Sequence, residues 1–78
     1  MNNSLQNKNI AGLADLIKKG IVYEDDFIEL YMKLIKDEGF LEIFPETARG
    51  EVKGHLEFLI KESSEHKNIL ENIINNLK

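Results

Sequence analysis

The chain has no cysteine. That removes disulfides and thiolate metal sites, and leaves Glu, Asp and His to hold any metal. No apolar run approaches the roughly 18–20 residues that cross a bilayer. The N-terminal stretch Met1-Asn2-Asn3-Ser4-Leu5-Gln6-Asn7-Lys8-Asn9 lacks the apolar core of a signal peptide. The expectation is therefore a cytoplasmic protein with no membrane partner. A basic stripe is also missing. Lys18-Lys19 and Lys61 with Lys67 are the local clusters, no aromatics interleave them, and the formal charge is −4. This pattern argues against a nucleic-acid partner. The sequence shows no internal repeat, no low-complexity tract beyond the Asn-rich start, and no strand signal.

What remains is helical. At 78 residues the chain makes one domain near the small end of what folds alone. Its 42% hydrophobic and 31% charged content describes a globular chain, neither disordered nor membrane-embedded. Residues 1–8 are polar and predict a flexible tail, with residues 9–78 forming the helical unit. Asn9 is an acceptable N-cap for a first helix beginning at Ile10. At about 100° per residue with Ile17 at zero, Leu13, Ile21, Ile28, Tyr31 and Ile35 fall within about 40° of one line. The apolar phase carries through Gly20 without a shift, so the spacing predicts one helix over about 10–38. Gly20 is its weak point, costing about 1 kcal/mol.

Glu38-Gly39 is expected to close that helix, with Gly39 in the left-handed conformation past its end. Phe40-Leu41-Glu42-Ile43-Phe44 is too short for a strand pair and too apolar for an exposed linker. It should fold over the end of the core, with Phe40 and Phe44 as a lid. Pro45 suits the start of a second helix over about 46–76, where a missing N–H is no loss. With His55 at zero, Leu59, Glu62, His66, Ile69, Ile73 and Leu77 fall within about 40°. Lys53, Lys61, Lys67, Asn68 and Glu71 read as the solvated face. Gly50 and Gly54 lower helix propensity while permitting close packing against a neighbour. The fold class expected is all-α, an antiparallel two-helix hairpin. One hairpin cannot cover a broad apolar stripe on both helices, so a homodimer forming a four-helix bundle is the economical solution.

Three polar residues interrupt the apolar faces. Glu24 lies about 20° from the centre of the first stripe, while Asp25 and Asp26 point elsewhere as solvent carboxylates. Glu62 and His66 share the second stripe, one turn apart. Glu24 stands about 21 Å of helix before Glu38, and Glu62 about 22 Å after Thr47. An antiparallel hairpin then brings Glu24 level with Glu62 and His66. A two-fold axis would gather up to four carboxylates and two imidazoles, which repel unless cations or pairing neutralise them. O/N ligands of this kind suit iron, manganese or zinc. The alternative is that the three residues simply pair with one another. His55 lies about 10 Å further along the axis, out of reach of the same ion, and reads as a core or supporting histidine. Tyr31 reads first as a core aromatic, and second as a donor near such a site.

The residues Ile21-Val22-Tyr23-Glu24-Asp25-Asp26-Phe27-Ile28-Glu29-Leu30-Tyr31 resemble the first helix of rubrerythrin-like members of the ferritin-like superfamily. Leu59-Ile60-Lys61-Glu62-Ser63-Ser64-Glu65-His66 resembles their second-helix pattern Leu-x-x-Glu-Glu-x-x-His, the likeness spanning about residues 10–75. The resemblance implies a ferritin-like four-helix bundle with a carboxylate-bridged di-iron site, Glu24 and His66 being ligands. Ser63 departs from it, standing where the Glu-x-x-His glutamate belongs, with Glu62 as the adjacent substitute. Two functions follow as expectations. One is a di-iron protein for iron oxidation, storage or peroxide handling, with Glu24, Glu62 and His66 from two chains as ligands. The other is a metal-free helical dimerisation or adaptor module whose polar residues set register.

Overall fold

A computed structural model describes the backbone of residues 3–77 and the side chains of residues 10–77. The fold is all-α, with α1 (Asn3–Lys36), a one-turn α2 (Glu38–Glu42) and α3 (Glu46–Leu77). No strand occurs among the described residues. α1 starts ahead of the expected cap at Asn9. Of the tail expected over residues 1–8, residues 1 and 2 lie outside the described part.

α1 passes through Gly20 unbroken. Packing explains why the weak point holds: α1 comes close to α3 there, and a Cβ on Gly20 would meet Leu70 Cδ1 at 3.3 Å. Propensity alone would favour a break by about 1 kcal/mol, and tertiary contact overrides it. Lys33 and Lys36 sit in the last turn, where their charge suits the helix dipole.

The turn differs from the expected one. α1 ends at Lys36, and Asp37 takes an extended conformation (φ −86°, ψ 103°). Its Oδ1 accepts a hydrogen bond from the Phe40 N–H at 3.2 Å, capping α2. Gly39 falls inside that short helix, and no glycine among the described residues has positive φ. A side-chain cap has replaced the left-handed glycine as the device that redirects the chain. The lid reading of the link fits. Phe40, Leu41 and Phe44 are half-buried, and the two phenyl rings meet edge to face, 5.4 Å apart at 74°. Arg49 Nε donates to the Phe44 carbonyl at 3.0 Å, fastening the turn to the first turns of α3.

α1 and α3 pack side by side, and contacts that run forward along α1 run backward along α3. Gly20 meets Leu70, and four residues later Glu24 meets His66. The whole measures 62 × 16 × 15 Å. On α1 the contact line is Ile17, Ile21, Glu24, Ile28, Tyr31 and Ile35, all half-buried, as the periodicity predicts. Leu13, expected on the same line, is exposed.

On α3 the expected stripe is displaced by one residue. The side chains towards α1 are Leu56, Ile60, Ser63, Lys67, Leu70 and Ile74, buried or half-buried, in a regular 4-3-4-3-4 spacing. His55, Leu59, His66, Ile69, Ile73 and Leu77, read from the sequence as the core, are exposed, and Glu62 is half-buried. Lys67, assigned to the solvated face, sits on the contact line. Both lines are apolar enough to satisfy the period, and only packing chooses between them. Leu56 alone among described apolar side chains is buried, and Ser63 alone among polar ones.

Gly50 and Gly54 are exposed, and a Cβ on either meets nothing within 4 Å. Close packing does not explain them within one chain. Gly54→Ala should therefore stabilise the protein by about 1 kcal/mol through helix propensity, read as a rise in the thermal midpoint. Asp37→Ala should destabilise it by about 1 kcal/mol through loss of the α2 cap, and urea unfolding would measure that loss.

Candidate functional site

Halfway along the helix pair, Glu24 from α1 and Glu62 and His66 from α3 come together. The opposed order of the helices does this. Glu24 is on the contact line of α1, and His66 stands beside the contact line of α3 at the same height. Glu62 is one turn earlier on the same side as His66. His66 Nδ1 lies 3.4 Å from Glu24 Oε2, and Nε2 lies 3.6 Å from Glu62 Oε2. The imidazole thus stands between two carboxylates, one at each nitrogen.

The three side chains differ in their access to water. The Glu24 side chain is 14% exposed, against 56% for His66 and 39% for Glu62. Glu24 Oε2 is buried, and although His66 Nδ1 is near, no group makes a hydrogen bond to it. A buried carboxylate oxygen without a hydrogen bond is costly, and it is the least satisfied polar atom of this cluster. Among the described residues no group of three or more His, Asp or Glu side chains is already arranged to hold a metal ion. A metal would need one imidazole nitrogen and the carboxylates to converge on a single point. Here the two nitrogens face different acids.

Ser63 is 6% exposed and lies on the line facing α1. At that position, where the ferritin-like pattern has a glutamate, a small hydroxymethyl group fills the interface. Tyr31 is half-buried and stacks on Phe27, ring centroids 6.3 Å apart with planes at 21°, consistent with its reading as a packing aromatic. His55 is not a core histidine. Its side chain is solvent-exposed and its Nε2 lies 3.5 Å from Glu51 Oε1, one turn back on the same helix.

One interaction was not legible as such from the sequence. Lys67 Nζ lies 2.8 Å from Asp25 Oδ1, a cross-helix ion pair next to the Glu24–His66 contact. His66 and Lys67 therefore straddle α1, each reaching an acid on its own side. The signal that could have found it is the heptad Leu56, Ile60, Ser63, Lys67, Leu70, Ile74, which puts Lys67 at the interface. The hydrogen bond and charge of Asp25 raise the Lys67 ammonium above its ordinary value against a smaller opposing effect of desolvation, and the charge of Glu71 adds to the rise.

Set beside known proteins, the chain matches no family model, no curated protein and no solved structure. No helix among the described residues is long and apolar enough to cross a membrane.

Because Lys67 is raised in the folded state, its stabilising contribution is complete below the unfolded lysine value of about 10.4. It is lost as pH rises through the higher folded value. Thermal midpoints followed above about pH 10 should fall more steeply for the wild type than for Asp25→Asn. Parallel curves would show that the pair contributes nothing.

Proposed function

We propose that the chain folds as an antiparallel helical hairpin, pairs with a second copy into a ferritin-like four-helix bundle, and binds metal through Glu24, Glu62 and His66. The observation that carries this reading is Glu24 Oε2. It is a buried carboxylate oxygen without a hydrogen bond, 3.4 Å from an imidazole nitrogen that also neighbours a second carboxylate. The donor chemistry fits iron, with manganese or zinc as substitutes. Two copies would supply four carboxylates and two imidazoles, the complement that a carboxylate-bridged pair of ions uses in helical bundles.

In this reading Glu24 contributes the buried anionic oxygen, and the α1–α3 packing holds it away from water. Glu62 and His66 contribute from one turn of α3, so their spacing is set by the helix itself. Iron held there would supply one-electron redox chemistry towards dioxygen or peroxide. Lys67 on Asp25 removes one nearby acid from competition for the ion, leaving Glu24 as the available carboxylate of α1 at this height.

A second reading is favoured by the orientation of His66. With each imidazole nitrogen turned to a different carboxylate, the cluster resembles an ion-pair relay that fixes helix register in a metal-free association module. Ser63, in the place of the pattern's glutamate, supports the same reading.

Metal analysis of protein purified without chelator and then loaded with iron separates the two. The metal reading expects about one ion per chain, lost in both Glu24→Ala and His66→Ala. A wild type that retains no iron after loading, with an unchanged thermal midpoint, would sink it in favour of the second reading.

A further inference from the structure

The α1–α3 pair has two unlike sides. A residue one position before a contact-line residue is turned back by about 100° around its helix. Because α1 and α3 run oppositely, this same backward step carries both helices to the same side of the pair. That side presents Leu16, Tyr23 and Phe27 from α1 and Leu59, Ile69 and Ile73 from α3, all exposed. Stepping one residue forward instead leads to the other side, which presents Asp15, Lys18 and Glu29 with Glu57, Lys61 and Asn68, all exposed. Apart from Glu62 and His66 at mid-length and His55 towards one end, the first side carries no acidic, basic or imidazole side chain.

We propose that this apolar side is the interface with a second copy of the chain, and that a two-fold axis brings the two Glu62–His66 turns together at its centre. Three observations select that occupant. The apolar strip runs from Leu13 to Leu34 on α1, about 31 Å of helix, and takes in exposed apolar side chains of both helices. A single helix would cover one of its two rows, whereas a second copy brings an identical two-row strip of the same length. The one buried apolar side chain among the described residues is Leu56, so the exposed strip is the main apolar surface still available to stabilise the fold.

The third observation is the placement of the polar turn. His66 meets Glu24, near the midpoint of the apolar strip from Leu13 to Leu34. A two-fold axis through this level therefore brings the polar turns of the two copies together, with apolar side chains facing one another on either side of them. A partner in any shifted register would press Glu62 and His66 against hydrocarbon, which their charge and hydrogen-bonding groups oppose.

This inference deepens the pairing that the metal reading uses, but it needs no metal, and its test is run in chelator so that the two fail separately. Sedimentation equilibrium of the full chain should give twice the 9.0 kDa chain mass. Phe27→Glu and Ile69→Glu, on the apolar side, should shift it to monomer. Val22→Glu and Met32→Glu introduce the same charge at exposed apolar residues on the other side, and should leave the dimer intact. Should the glutamate variants unfold, Phe27→Ala keeps the question open to measurement: its dimer dissociation constant should rise at least about tenfold, with Val22→Ala unchanged. A chain that is monomeric at all concentrations overturns the proposal. So do Phe27 and Ile69 variants that stay dimeric, or Val22 and Met32 variants that dissociate as readily.

Discussion

Two helices lying side by side can bury only the strip along which they touch, and that geometric limit shapes this molecule. Each helix offers its neighbour about one residue in four as a contact line, and the remaining circumference meets water or another chain. In a pair 62 Å long, the touching strip leaves Leu56 as the one buried apolar side chain among the described residues. The other features are arranged around this shortage: a capped turn that brings the helices together, charged pairs at the edges, and a broad apolar side with nothing covering it. Small domains without disulfides commonly need further burial of this kind to be stable.

The charged groups at mid-length are bound by the same limit. Glu24 reaches the contact line because α1 continues unbroken past Gly20, where the close approach of Leu70 holds the helices together. Once there, its carboxylate is mostly removed from water and depends on α3 for compensation. His66 and Lys67 are consecutive on α3 and so diverge by about 100°, one turning to Glu24 and the other to Asp25. Lys67 and Asp25 form a close, solvent-edged ion pair of modest worth. The Glu24–His66 contact is longer and leaves an oxygen without a hydrogen bond. The two contacts differ: the Lys67–Asp25 pair is satisfied, while the Glu24–His66 contact leaves an acceptor whose demand for a partner is unmet. The metal reading and the register reading are two ways of meeting that demand.

Much of this was open to a sequence reader, but unequally. The all-α class, the continuity of α1 and the level of Glu24 with His66 follow from period and rise alone, since 1.5 Å per residue and 100° per residue leave little freedom. The contact line of α3 was missed by one residue, because Leu59–Ile69–Ile73 and Leu56–Ile60–Leu70–Ile74 satisfy the same period equally well. Gly39 misled in the same way. A glycine after a helix usually marks its end, but Asp37 supplies a side-chain cap that competes for the same role.

By itself, then, the amino-acid sequence determined local matters: helices rather than strands, their lengths to within a turn or two, the exclusion of thiolate chemistry, and the spacing of Glu62 and His66. These depend on covalent geometry and on neighbours within one or two turns. The tertiary structure decided which of two apolar lines on α3 meets α1, and that Lys67 belongs to the interface while His55 belongs to solvent. It also decided which oxygen of the cluster is left without a hydrogen bond. Those outcomes depend on how two helices share a single strip of contact, a choice between near-equal packings that no local pattern encodes.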